Sequence, residues 1–294
     1  MVRRPLLLRL LWAASRPAQL LLVLGVYALG VKAADVLGGS VDPRAALAGA
    51  AALVPVAASV HYANEYADHE TDALTDRTPF SGGSGALAAT GLPRSTLLWA
   101  GAGALAVGAA LAGAAAAGGP LDGLALGLLA VIAAFGWQYS VGPLRLAWRG
   151  FGEVDNAALG GLALPAYAAA AVDGPAGTVA LACVPCFLVV LMTLFATQWP
   201  DREADAAVGK RTLAVRWSPG RLRQVYALVG VAAVGSLLAL HPRLLPTPVA
   251  LGSLAAVPFL GLGWLGYTRR RVPWPTVAGM VALAAGQFAG WCLA

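Results

Sequence analysis

Nine apolar stretches, each of bilayer-spanning length, dominate the 294-residue chain and leave only short polar connections between them. They fall at about 17–35, 43–64, 95–117, 121–140, 154–172, 177–199, 222–241, 247–267 and 273–293, each near the ~20 residues that carry a helix across a hydrocarbon core. A water-facing surface is excluded on composition: 59% of the residues are hydrophobic and only 12% charged, with a mean hydropathy of +0.72. The expected fold is therefore all-α, a polytopic membrane protein of nine transmembrane helices, with residues 1–294 forming a single domain. Residues 1–19 mimic a leader, but Arg9 interrupts their apolar run, so a short interfacial helix is expected there.

Charge placement orients these spans. With the N-terminus in the cytoplasm, 17 of the 20 basic residues lie on that side, and only Lys32, Arg44 and Arg243 lie opposite. The positive-inside rule then gives a cytoplasmic N-terminus and an extracytoplasmic C-terminus in a prokaryotic-type cell membrane. Most acids share the cytoplasmic side, so the chemistry is expected there. A net charge of +6 suits anionic membrane lipid and an anionic substrate. No basic amphipathic or stacking pattern points to nucleic acid.

Two acidic rows end long apolar segments. Asn64, Asp68 and Asp72 recur every four residues, as do Asp201 and Asp205, and this spacing lines each set along one helix face. Charged groups beside a bilayer are costly unless they meet water or serve a function. The first row runs on into Asp76-Arg77-Thr78-Pro79-Phe80-Ser81-Gly82-Gly83-Ser84-Gly85, whose hydroxyls and Gly-rich backbone suit an anion. The second runs on into Gly209-Lys210-Arg211. Carboxylates alone would repel a phosphate. Beside Lys, Arg and backbone donors they make sense when Mg²⁺ bridges them to it, since that ion binds through one or two carboxylates plus phosphate oxygens. His61 is expected to be a structural hydrogen-bond partner. Cys183 and Cys186 lie within a span without a second pair, and are read as inert packing.

Asn64-x-x-x-Asp68-x-x-x-Asp72 after the second span, Asp201-x-x-x-Asp205 after the sixth, and nine spans in all resemble the UbiA superfamily of intramembrane prenyltransferases. The segment Tyr139 to Glu153 and the run Gly209 to Arg216 are similar to the 1,4-dihydroxy-2-naphthoate prenyltransferase branch; Glu65, Arg145 and Thr197-Gln198 depart from common patterns. The resemblance implies a helical bundle around a central cavity beneath cytoplasmic cap loops. It further implies Mg²⁺ and an isoprenyl diphosphate held by the two rows, with Asn64, Asp68, Asp72, Asp201 and Asp205 as metal ligands. Asn64, Arg77, Ser81, Tyr139, Arg145, Lys210 and Arg211 are then the candidates for substrate contact, and Glu153, with Asp155, for orienting or deprotonating a small aromatic acceptor.

The activity expected is Mg²⁺-dependent prenyl transfer toward a lipid-quinone precursor. A terpene cyclase on the same scaffold would share the ionisation and capture the cation with the chain's own double bonds. A transporter with an acid relay is disfavoured, because the acids gather at one face.

Overall fold

The computed structural model describes residues 4–294; Met1 to Arg3, part of the expected interfacial segment and of the charge count, lie outside the described residues. Helix α1 (Arg4–Ala14) is followed by two long apolar helices, α2 (Pro17–Val36) and α3 (Pro43–Ala67). Short helices α4 (His69–Leu74) and α5 (Ala86–Thr90) lead to α6 (Ser95–Ala117) and α7 (Gly123–Ser140). A tight turn, Leu146–Arg149, precedes α8 (Gly152–Ala158), which widens through Leu159–Ala163 into α9 (Leu164–Ala170). Then come α10 (Ala176–Ala182), α11 (Val184–Gln198), α12 (Arg202–Ala207), α13 (Leu213–Arg216) and α14 (Pro219–Leu240). Helices α15 (Thr247–Ser253), α16 (Val257–Gly266) and α17 (Trp274–Cys292) complete the chain. The described residues contain no strand.

Every expected apolar stretch is helical, yet not every one forms an uninterrupted span. Among the described residues six helices are long and apolar enough to cross a membrane, with α15 and α16 joined as the continuous stretch Thr247–Gly266, and a seventh if α10 and α11, bent by 54° at Cys183, count as one. The α8–α9 run is broken by its wide turn, just before Pro165 removes a backbone donor. Helix α17, though 19 residues long, falls outside the set because it is less apolar.

The bundle's perimeter, unlike a water-soluble protein's, is rich in exposed large apolar side chains. Leu21, Trp99, Val231 and Leu238 are each at least 70% exposed on its perimeter, an arrangement that water would penalise and lipid accepts. Inside, small residues bring helices close. Gly252 of α15 and Gly286 of α17 meet so tightly that a Cβ on either would lie about 2 Å from the other's carbonyl. Helix α3 packs along α6, α2 along α9, and α17 against both α2 and α11, which joins the last helix to the first half. At one end of the bundle, α4 touches α12. This contact brings the two acidic rows together.

Candidate active site

Both acidic rows are built alike. Helix α3 ends at Ala67 and α11 at Gln198, the latter just ahead of Pro200. A new short helix starts after Asp68 in one case and after Asp201 in the other, and both aspartates have nearly the same backbone (φ −89°, ψ 7°; φ −88°, ψ −6°). Asp at such a position ordinarily caps the following helix with its side chain. Neither does so here, which leaves both carboxylates free for another partner. Backbone bonds of 2.8 Å from Asp72 N–H to Asp68 and from Asp205 N–H to Asp201 keep each pair in register across the break.

Lys210 joins the rows. Its Nζ donates to Asp68 Oδ1 at 2.9 Å and lies 3.5 Å from Asp205 Oδ1, while its backbone N–H bonds the Asp205 carbonyl at 2.8 Å. The side chain is 9% exposed. Burial alone would lower its pKa; Asp68 and Asp205 more than offset this and raise it, so the ammonium stays charged. The carboxylates respond oppositely. Burial, then repulsion from Asp68 and Glu65, pushes Asp72 up to about 7. Burial, reinforced by Asp205, pushes Asp201 up to about 6, and Asp205 is pushed up to about 6 chiefly by burial.

The Gly-rich connection closes over this end of the bundle. Gly82, Gly83 and Gly85 have φ of 79°, 65° and 67°, values that glycine adopts without cost. A Cβ on Gly83 would sit 2.0 Å from Asp72 Oδ2. Ser81 and the Gly82 backbone lie near enough to Asp201 to oppose part of the upward push on its pKa, so the loop lies beside both rows. Arg77 stabilises the loop itself, donating to the Gly82 and Gly83 carbonyls at 3.1 Å each.

Glu65 is the residue that spacing did not reveal. It is 3% exposed, accepts from Arg16 Nε at 2.9 Å and is bonded as well by Arg16 Nη2; Ser84 N–H and Oγ reach its two oxygens at 2.7 Å each. One buried carboxylate thus ties the α1–α2 joint to the loop. Ser84's donors are consumed there and are not presented to a ligand. Forty-nine residues separate Arg16 from Glu65, and no local pattern signals the pair. His61 acts as expected, its Nδ1 bonding the Ser15 carbonyl at 2.7 Å.

The remaining expected residues are distributed unevenly. Asn64 Oδ1 accepts from Ser140 Oγ at 2.8 Å. Tyr139, the residue before it, is half-buried at the end of α7. Glu153 is fully buried; one oxygen accepts the Leu213 N–H at 2.7 Å and holds the start of α13, while the other has no partner. Arg211 is exposed, tied in only by its backbone N–H to the Trp148 carbonyl at 3.0 Å. Arg145 stacks on Trp148, 4.3 Å from the ring centre, and lines a cavity elsewhere. The structure therefore gathers Asp68, Asp72, Asp201, Asp205, Lys210 and the Ser81 loop, and it leaves Arg145 and Arg211 outside that group. Cys183 and Cys186 are buried free thiols.

Orphaned acceptors test whether divalent metal suits the site. Asp201 Oδ1 is buried without a hydrogen-bond partner, and Asp205 Oδ1 has no hydrogen bond, only the Lys210 ammonium at 3.5 Å; a buried acceptor left so costs free energy unless a cation supplies the missing contact. Among the described residues no three His, Cys, Asp or Glu groups converge on one point. The donor set thus fits an ion that takes one or two carboxylates and draws its other ligands from a phosphate and water, as Mg²⁺ does.

The model of the UbiA prenyltransferase family matches residues 22–271. The chain belongs to that family. Solved UbiA homologues share the fold along nearly their whole length. One from Archaeoglobus fulgidus, bound to DMAPP and Mg²⁺, superposes with a TM-score of 0.69 at 17% identity, covering 98% of this chain and 99% of that one. An apo homologue from Aeropyrum pernix K1 gives 0.67 at 19% identity, covering 89% and 96%. A digeranylgeranylglyceryl phosphate synthase gives 0.62 at 13% identity, covering 98% and 99%. No curated protein matches the chain in sequence.

Proposed function

We propose that this UbiA-family protein transfers an isoprenyl group from an allylic isoprenyl diphosphate to a small aromatic acceptor, naphthoate-like, in the making of a lipid quinone. The observation that carries the reading is the convergence of Asp68 and Asp205 on one buried ammonium, Lys210, with Asp201 Oδ1 in the same row as Asp205 buried and unpartnered. The A. fulgidus homologues bound to DMAPP or GPP with Mg²⁺ support it.

Asp68, Asp72, Asp201 and Asp205, with Asn64, would share Mg²⁺ ions, one or two carboxylates to an ion, and the bound metal would screen the negative charge that grows on a departing diphosphate. Lys210 turns its ammonium to the same oxygens and stabilises the pyrophosphate as the C1–O bond breaks and the electron pair leaves with it. The Ser81 loop covers that end and keeps out water, which would otherwise quench the allylic cation. A ring carbon of the acceptor attacks C1, the new C–C bond forms, and the ring proton passes to a base. Glu153 has a buried oxygen without a partner, and it is the group we assign to orient the acceptor's hydroxyls and take that proton; Asp155, two positions on along α8, points about 200° away.

Purified protein incubated with Mg²⁺ and diphosphates of several chain lengths, with and without 1,4-dihydroxy-2-naphthoate, tests the reading by product mass. A prenylated naphthoate is expected. A cyclised hydrocarbon formed without acceptor would replace transfer with cyclisation. We also assign all nine helical stretches to the membrane, with the N-terminus and the acidic rows cytoplasmic. Cysteine labelling at exposed Ala88 and Arg243 checks this: position 88 reacting only from outside would overturn it.

A further inference from the structure

A polar cavity lies at the same end of the bundle, beside the first acidic row. Its volume is about 390 Å³, and Tyr66, Glu70, Arg94, Ser140, Arg145 and Trp148 line it. Tyr66 and Glu70 follow Asn64 and Asp68 by two positions, about 200° around a helix axis, so the cavity occupies the face of the α3–α4 segment turned away from Lys210.

The walls of this cavity are rich in donors and poor in acceptors. Arg145 is held in a left-handed backbone conformation (φ 44°), which a side chain other than glycine, Asn or Asp rarely adopts and which marks positions fixed by their surroundings. Its guanidinium stacks on Trp148 and has no hydrogen-bond acceptor among the described residues. The Trp148 indole N–H is buried and also lacks one. Arg94 lies 5.4 Å from the Tyr66 ring centre and 3.2 Å from Glu70, the single acid on the wall. Arg149 stands nearby, donating to the Pro143 carbonyl at 3.1 Å. The connection that carries Arg145 is itself fastened, since Gln138 accepts the Leu144 N–H at 3.0 Å.

The setting is the end of two lipid-facing helices. Trp99 on α6, 77% exposed, and Phe135 on α7, 43% exposed, each lie five residues from a cavity-lining residue, between one and two turns. Unspent cationic donors at helix ends, beside exposed apolar side chains, match a ligand with an anionic head and a hydrocarbon tail.

We propose that this cavity binds the phosphate headgroup of an anionic membrane phospholipid. Arg145 is its principal cation, the Trp148 N–H a second donor and Arg94 a third, with the acyl chains lying along α6 and α7. The proposal is independent of which acceptor the active site takes. Two bonds connect the cavity wall to that site, Ser140 Oγ to Asn64 at 2.8 Å and Arg211 N–H to the Trp148 carbonyl at 3.0 Å. A bound headgroup would therefore steady the residue next to Lys210.

Native mass spectrometry of the full chain in neutral detergent tests this with three probes: dioctanoyl phosphatidylglycerol, dioctanoyl phosphatidylcholine and inorganic phosphate. The wild type is expected to retain one phosphatidylglycerol about tenfold more tightly than phosphatidylcholine, and not to saturate with inorganic phosphate in that range. Arg145→Gln should remove that preference, whereas Arg145→Lys keeps part of it. Glu70→Gln, which deletes the acid facing the headgroup, should strengthen phosphatidylglycerol binding; this variant decides the matter if Arg145→Gln folds poorly. Equal affinity for the two lipids, or unchanged affinity in both Arg145→Gln and Glu70→Gln, overturns the proposal. Inorganic phosphate saturating as tightly as phosphatidylglycerol also overturns it, because the site would then serve a soluble anion.

Discussion

Replacing Lys210 by methionine removes the one cation among the described residues that pairs with both acidic rows. Its ammonium is bonded to Asp68 at 2.9 Å and lies 3.5 Å from Asp205, which is 2% exposed. Breaking a buried ion pair by deleting one partner typically costs about 3–5 kcal/mol. Here proton uptake limits the loss. Asp205, already pushed up to about 6 with Lys210 in place, can be neutralised at pH 7.5 for about 2 kcal/mol, at ~1.4 kcal/mol per pH unit. The metal-free variant should therefore be about 2 kcal/mol less stable at pH 7.5, a midpoint lowered by roughly 4–8 °C for a chain of this size, and the deficit should shrink at pH 5.5. Two further effects distinguish a cation clasp from ordinary packing. Without the competing ammonium, Mg²⁺ alone should bind more tightly, seen by calorimetry or by the shift in thermal midpoint. The turnover number should fall by about 100-fold, the usual cost of deleting one donor to developing negative charge. A Lys210→Met protein with wild-type thermal midpoint in chelator and wild-type Mg²⁺ affinity would refute the reasoning.

Asp201→Asn should abolish prenyl transfer while leaving folded yield nearly unchanged, because that carboxylate neither caps its helix nor bonds Lys210; equal loss of activity and stability would favour a structural role. Asp68→Asn should also abolish transfer, and it should lower the thermal midpoint because it breaks the buried bond to Lys210. The pH dependence has a definite sign. Asp72, Asp201 and Asp205 titrate at about 7, 6 and 6 in the folded chain, above the ~3.9 of an unfolded Asp. The folded state therefore binds extra protons between about pH 4 and 7, and the stability they contribute is lost as pH rises through that window. Metal-free protein should melt higher at pH 5.5 than at 8.0, and Mg²⁺ should bind more tightly at 8.0, where it displaces fewer protons. Gly83→Ala should cost about 1–2 kcal/mol for its left-handed backbone alone, with a further penalty because the new Cβ drives into Asp72; thermal melting and Mg²⁺ affinity should both worsen, and an unchanged Mg²⁺ affinity would detach the loop from the acidic row.

Local physics made the helices and the acidic rows legible from the chain alone. Hydropathy acts residue by residue over a span, and a four-residue repeat puts Asp68 with Asp72, and Asp201 with Asp205, on a common face whatever the surroundings. Even the breaks after Ala67 and Gln198 have local causes, an Asp able to begin a new helix and a proline that cannot continue the old one. The choice among cations is of another kind. Positive-inside bias scatters Arg and Lys through every connection on one side, so Lys210, Arg211, Arg77 and Arg145 are equivalent candidates on charge alone. Packing separates them: Lys210 meets an aspartate 142 residues away, Arg77 turns back on its own loop, Arg211 stays outside, and Arg145 stacks on Trp148 facing a different cavity. Glu65, read as a departure from pattern, becomes the anchor of two segments only because α1 and the Ser84 loop arrive beside it. Contacts between residues far apart in the chain depend on how the helices cross, and burial then determines which charges must find one another, since an unpaired one is too costly to leave there.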